Sequence, residues 1–233
     1  MKRSRPAVSL VAVSLVAVAA LAACGGGDDD TSSDAGPGTG GVPGGPVATV
    51  PSSLPDAYRP AVGPVDVTGE ALPPLGDASI DTDPARGRPA PKLLGLGFDS
   101  QPVRIDAAAD GPTMVVFVAH WCPHCNAELP RLNELRDDDR VPEWLNVVAV
   151  ATASEPQRPG FPPGSWLAEK DWTWPAMADG VDLDAGAWVA ADAFGVDGFP
   201  FIALVDGEGN IAARWSGEST TDELAERIDD YLG

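Results

Sequence analysis

From Thr113 to Ala119 the chain reads TMVVFVA, with no charge and, after the β-branched Thr113, no polar side chain. The run is too short for an isolated buried helix and lacks the alternation of a strand with one wet face. It therefore predicts a strand covered on both sides, as found inside the sheet of an α/β domain. Leu129, Leu132 and Leu135 follow at helical spacing with polar residues between them, so one face of a helix is apolar. If Cys122 to Arg136 is one element, Pro130 predicts a kink within it. Leu145 to Ala151 is a second buried strand. Strand, helix and strand together give a β-α-β unit with parallel strands and a right-handed crossover.

Shorter signals surround this nucleus. Leu93 to Phe98 and Pro102 to Ile105 form a hairpin about Asp99-Ser100-Gln101. The Pro-rich stretch Glu155 to Gly164 is loop, and Trp166 to Lys170 a short helix. Trp174 to Ala178 is a third strand or an extended stretch. Ala187 to Phe194 reads as a helix stopped by Gly195. Phe201 to Val205 and Ile211 to Trp215 make an antiparallel hairpin through Asp206 to Asn210. Thr220-Thr221-Asp222-Glu223 is a capping box, and Leu224, Ile228, Tyr231 and Leu232 stripe the last helix.

The chain before this region is of another kind. Lys2, Arg3 and Arg5 precede an apolar run from Ala7 to Ala23, the pattern of a secretory signal over residues 1–23. At 17 residues that run stands at the short limit of what a retained membrane-spanning helix needs. Residues 24–91 are rich in Gly, Pro, Ser and Asp with few large apolar side chains, which predicts a flexible tether. The sequence leaves open whether part of 47–75 docks on the domain. Residues 92–233 then form the packed domain, large enough to hold a core without disulfide staples. The formal net charge of −20 repels phosphate backbones, so no nucleic-acid partner is expected.

Three cysteines carry the chemistry, and two of them stand in Cys122-Pro123-His124-Cys125. On a helix, residues three apart share a face, near enough for a disulfide to close with little backbone change. If the helix starts at Cys122, its sulfur meets free backbone N–H groups and the positive end of the dipole, which favour thiolate. Pro123 suits the first turn because its missing N–H would have had no intrahelical partner. His124 adds a donor or a positive charge. Cys122 is thus the expected nucleophile and Cys125, one turn deeper, the resolving thiol. First-thiol pKa values in such motifs run from about 7 in reducing sites to about 3.5 in strongly oxidising ones, and the Pro-His pair leans toward the oxidising end.

Two resemblances extend this reading. Leu21-Ala22-Ala23-Cys24, followed by three glycines, resembles the bacterial lipobox, which implies lipidation of Cys24 and attachment to the membrane on its extracytoplasmic face. The strand ending Phe117-Val118-Ala119, then Trp121-Cys122-Pro123-His124-Cys125, Glu128 and Pro130, and a distant Gly198-Phe199-Pro200 before the final hairpin resemble the thioredoxin superfamily, closest to its TlpA/ResA-like membrane-tethered branch. The resemblance covers roughly residues 92–232. It implies a thioredoxin-like fold, a central mixed sheet flanked by helices with the hairpin as an N-terminal extension. It also implies a thiol-disulfide oxidoreductase without a cofactor, acting on protein thiols or disulfides and served by a membrane or extracytoplasmic redox partner. By the same resemblance Pro200 is cis beside the cysteines, the Phe199 backbone pairs with a substrate strand, and Trp121 flanks the site. Two positions depart from the family. Val116 stands where many members bury an acid, leaving Glu128 either a substitute or a solvated helix residue. Phe199 replaces a smaller residue, which bears on substrate range.

Rival chemistries are poorly served. Cys122, Cys125, His120 and His124 crowd into six residues with no second ligand pair elsewhere, so no metal site is expected. A peroxidase wants a hydroxyl three residues before its reactive cysteine, and that position holds Ala119. A lipid-tethered binding module without turnover is the remaining alternative. His120 reads as a polar residue of the strand-helix junction.

Overall fold

The computed structural model describes residues 49–233. Residues 1–23, Cys24 and the first part of the expected tether lie outside them. Among the described residues, no helix is long and apolar enough to cross a membrane.

Among the described residues, beside two short 3-10 helices (Asp56–Ala61 and Ile80–Thr82), ten strands and five α-helices follow in chain order: β1 (Val65–Thr68), β2 (Lys92–Leu96), β3 (Pro102–Ile105), α1 (Ala107–Asp110), β4 (Thr113–Val118), α2 (Pro123–Asp137), β5 (Asn146–Ala151), α3 (Pro163–Glu169), β6 (Ala176–Ala178), β7 (Val181–Asp182), β8 (Ala187–Trp188), α4 (Val189–Ala193), β9 (Phe201–Val205), β10 (Ile211–Ser216) and α5 (Thr221–Leu232). Every residue of β4 is buried. The strand lies at the centre of a five-stranded sheet, β10-β9-β4-β5-β6, parallel to β5 and antiparallel to β9. Alternate side chains of a strand point to opposite faces. Met114, Val116 and Val118 therefore join Leu129, Leu132 and Leu135 of α2 with Leu224 and Ile228 of α5 in one core. Val115 and Phe117 join Leu93, Ile105, Phe194 and Phe201 in the other. With a hydrophobic layer on each side, the run had no position to spare for a polar residue. This mixed sheet between helices is the architecture that the thioredoxin resemblance implied.

The two expected hairpins are present, with Leu93 opposite Ile105 and Trp215 opposite Ile202. The capping box is formed: Thr220 accepts from the Glu223 amide while the Glu223 carboxylate accepts from the Thr220 amide. The helix expected over Ala187 to Phe194 is shorter. Its first two residues pair instead with Val181–Asp182, and Asp179 accepts from the amides of Ala190 and Ala191, which fixes the start of α4 later. The third strand is realised only as Ala176–Ala178, at the sheet edge. The helix expected over Trp166 to Lys170 begins three residues earlier, at Pro163.

The largest correction concerns the expected tether. Residues 49–91 pack on the domain, so the fold does not begin at residue 92. β1 adds to β2 in antiparallel register, which turns the hairpin extension into a three-stranded sheet. Leu54, Ala61, Leu72, Leu75 and Ala85 are buried although no period links them. The segment is held by backbone bonds to the domain: the Leu72 amide donates to Ala193 (2.9 Å), that of Gly87 to Ile211 (2.8 Å) and that of Ala90 to Gly209 (2.9 Å). Fully buried Arg214 of β10 pairs with Asp83 and donates to the carbonyls of Phe194 (2.6 Å) and Pro73 (3.1 Å). Gly195, at φ +65, lies so close to Pro73 that a Cβ there would stand 2.4 Å from its carbonyl oxygen. Composition underrated the segment because it joins the fold through backbone pairing and isolated apolar anchors, neither of which needs a repeating pattern.

Candidate active site

β4 ends at Val118, and α2 begins at Pro123 with Cys122 in the N-cap position at φ −77 and ψ 122. The Cys122 amide donates to the Ala119 carbonyl (3.0 Å), and the Cys122 carbonyl accepts from the Asn126 amide (3.1 Å) as the helix starts. A proline at the first helical position removes one donor that would have no intrahelical partner, and no side chain caps the first-turn amides that follow. Both thiols are free. They differ in access: Cys122 retains 6% of its surface, and Cys125 none.

The Cys122 thiol donates to the Phe199 carbonyl at 3.6 Å, and the Phe199-Pro200 bond is cis. The Ala119 amide donates to the Cys125 sulfur at 3.5 Å. Burial pushes the Cys125 thiol far above the usual range, with Cys122 and Glu128 adding to the effect and the Ala119 amide opposing it. Cys125 can therefore act as a nucleophile only if a neighbouring group takes its proton.

Such a group lies one helical turn on. Glu128, open in the sequence between a solvated residue and a substitute for the missing acid at Val116, is fully buried. Burial raises its carboxyl to about 7, although the Ser219 amide (2.9 Å) and Arg131 favour its ionised form. Its Oε1 has no protein partner. The remaining charges run outward from it. Arg131 lies 3.5 Å from Glu128 Oε2 and 2.7 Å from Glu218 Oε2, and Glu218 Oε1 meets His124 Nδ1 at 2.7 Å. Hydrogen bonds from His124 and then Arg131 hold the Glu218 carboxyl below the usual carboxylate range. One line of groups thus connects the exposed histidine of the CxxC to the buried acid beneath the second cysteine.

Aromatic groups flank Cys122. Trp121 donates from Nε1 to the Ala153 carbonyl (2.6 Å) and meets Phe199 edge-on at 6.3 Å between ring centroids. The Arg158 guanidinium lies 4.6 Å from the centre of the Trp121 ring. Pro123, His124, Trp121, Phe199 and cis Pro200 are therefore gathered about the two cysteines. The sequence reading missed Glu218, Arg131, Ser219 and Arg158. Glu218, Ser219 and Arg158 lie on loops distant in sequence, Glu218 94 positions from His124 and Ser219 91 from Glu128, and no local motif marks such pairs; Arg131 stands on α2 itself, three residues after Glu128, where nothing in the helix sequence marks it.

Known proteins resemble this chain across the same region. A family model described as a thioredoxin-like domain matches residues 99–232. The thiol:disulfide interchange protein HelX of Rhodobacter capsulatus is 30% identical over 145 residues, 62% of this chain and 74% of HelX. The methylamine utilization protein MauD of Paracoccus versutus is 26% identical over 150 residues, 64% of this chain and 68% of MauD. A solved thiol:disulfide interchange protein of the thioredoxin family from Chlorobium tepidum superposes with a TM-score of 0.51 at 21% identity, over 64% of this chain and 99% of its own, and speaks to the fold.

Proposed function

The chain belongs to the thioredoxin-like family and is a thiol-disulfide oxidoreductase, and from that premise we propose that Cys122 and Cys125 are its redox pair, exchanging disulfides with protein substrates. The observation that carries the reading is the pairing of a barely accessible sulfur at a helix start with a fully buried one a turn deeper, above a buried carboxyl. In the reducing direction, the Cys122 thiolate attacks a substrate disulfide, forming a mixed disulfide and releasing one substrate thiolate. Glu128 takes the Cys125 proton, and the Cys125 sulfur then attacks Cys122. That step expels the second substrate thiolate and leaves the Cys122–Cys125 disulfide, so two electrons have passed to the substrate. The oxidising direction runs the same steps backwards, beginning with a substrate thiolate on Cys122.

The Phe199 carbonyl, already within reach of the Cys122 thiol, supports backbone pairing with a substrate strand, and Trp121 and Phe199 supply apolar flanks. Pro123 and His124 tune the pair, and the Pro-His dipeptide favours the oxidising direction. Residues 1–23 act as a signal and Cys24 carries the lipid that holds the domain at the extracytoplasmic face of the membrane, where a membrane or extracytoplasmic partner resets it. No cofactor enters the scheme.

Turnover of a small disulfide and of insulin, compared with Cys122→Ser, tests the site, and equal rates would favour a binding module. A Cys125→Ser variant should trap mixed disulfides in cells on Cys122. A reduction potential near or below about −270 mV would overturn the oxidising lean. Incorporation of an acyl probe, lost in Cys24→Ser, tests the anchor.

A further inference from the structure

His120 has no part in that scheme, yet it is 1% exposed and both ring nitrogens are used. Nε2 lies 3.1 Å from the Glu155 amide, which can only donate, so Nε2 accepts. Nδ1 must then carry the proton, and it donates to the Pro159 carbonyl at 2.8 Å. One neutral imidazole thus ties both ends of the turn 155–159 to the residue two before Cys122. Phe161 packs edge-on against the ring at 5.7 Å. Gly160 lies so close that a Cβ there would stand 2.8 Å from the His120 carbonyl oxygen. Between the two tied points is Arg158, held by Glu155 at 3.0 Å and stacked on Trp121.

We propose that His120 is a positioning residue: as a neutral ring it latches the loop 155–162 so that Arg158 and Trp121 form one wall of the protein-substrate cleft beside Cys122, and protonation releases the latch. The inference rests on the redox reading of Cys122 and adds to it a determinant of protein-substrate binding that operates by pH. A protonated imidazole has two donors and no acceptor. Its Nε2–H would then face the Glu155 N–H, and the loop must withdraw from that end. The charged groups acting on the ring both lie on the loop it holds: the Glu155 carboxylate favours protonation and Arg158 opposes it. Burial is the larger influence and holds the ring below the usual histidine range, so the neutral form is the resting one near neutrality. The sign follows. A histidine whose folded pKa is depressed contributes to the closed loop above its ordinary value of about 6.5 and loses that contribution as pH falls below it.

Glutamine supplies one donor and one acceptor side by side, as neutral imidazole does, and does not titrate. Phenylalanine fills the space and supplies neither. The experiment compares the full chain with His120→Gln and His120→Phe in the reduction of insulin and of hydroxyethyl disulfide, with dithiothreitol as electron donor, from pH 5 to 8. The expected result is a wild-type to Gln ratio of kcat/KM on insulin that is level near pH 8 and falls severalfold below about pH 6. The same ratio on hydroxyethyl disulfide, which needs the cysteines but not the loop, is the reference and should stay level across the range. The Phe variant should lose severalfold on insulin, mainly in KM, at every pH, while turning over the small disulfide normally. Hydrogen exchange supplies a readout without turnover: the Glu155 amide should be protected in the wild type at pH 7 and in the Gln variant throughout, and unprotected in the Phe variant. A ratio independent of pH, or Gln and Phe variants alike in both exchange and insulin kinetics, overturns the latch. Failure of the wild type to reduce even the small disulfide would overturn the redox reading, and the exchange of Glu155 would still decide whether the loop is latched.

Discussion

The cysteine that never reaches solvent is the more demanding of the pair, because its thiol is held neutral by burial and must give up a proton inside the protein. The proposed exchange assigns that proton to Glu128, one helical turn along α2, and the assignment predicts two outcomes. Glu128→Gln should leave the first attack at Cys122 nearly intact but slow resolution by about two orders of magnitude or more, on the scale general-base catalysis usually contributes. Quenched-flow analysis should then show mixed disulfide accumulating, and a variant that resolves as fast as the wild type would remove Glu128 from the mechanism. The second outcome concerns stability. With its carboxyl raised from the ordinary 4.5 to about 7, Glu128 binds its proton more tightly folded than unfolded. The associated stability is present below about pH 4.5 and is lost as pH rises through 7, a change of roughly 3 kcal/mol in full. Urea midpoints measured across that window should decline in the wild type and lose this component in Glu128→Gln. The cysteines, Trp121, Phe199 and Pro200 were legible because each is part of a local motif or of the family's pattern. Glu128 was visible but unassigned, since nothing in a helix sequence says which polar residue the core will cover.

At the level of elements, legibility followed how far each one depends on its own residues. β4 and β5 are continuous apolar runs because helices cover both faces, so their burial is written in them directly. α5 carries a complete start signal, Thr220 with Glu223, and an apolar stripe that ends in Leu224 and Ile228 under the sheet. Thr220→Ala should therefore cost about 1 kcal/mol, the usual value of a side-chain N-cap, read as a lower urea midpoint with an unchanged slope. A null result would mean that packing on α2 alone fixes the helix start. α4 was legible only in part: its start is set by Asp179, ten residues upstream of Val189, and by the pairing of β7 with β8. Propensity cannot report an acceptor supplied from another segment. The same holds at the active site, where the loop before α5 brings Glu218 and Ser219 to α2 through tertiary packing rather than through any helix signal.

For the molecule as a whole, the segment 49–91 works as a brace on the sheet, and beside its backbone bonds the fully buried pair of Asp83 with Arg214 fastens it. Burial alone would raise the Asp83 carboxyl, but hydrogen bonds from Arg214 and the Ala85 amide outweigh it and hold the group below the usual range. Both side chains of the pair are fully buried. Removing only the acid leaves a guanidinium stranded in the core, so Asp83→Ala should destabilise by about 3–5 kcal/mol, whereas Asp83→Leu combined with Arg214→Met should cost far less because no charge remains uncompensated. Acid should act like the single substitution. A carboxyl depressed in the folded state stabilises fully above its ordinary value of about 3.9, and that contribution is lost as pH falls from there through the lower value it has when folded. The brace also reaches the site. Arg214 holds the Phe194 carbonyl and Leu72 that of Ala193, at the head of the segment leading to Phe199 and Pro200. Loosening it in Asp83→Ala should raise hydrogen exchange across residues 194–199 more than across β5, which packs on the far side of β4. If the two regions instead exchange alike, the ion pair stabilises the molecule globally and has no particular hold on the loop that faces Cys122.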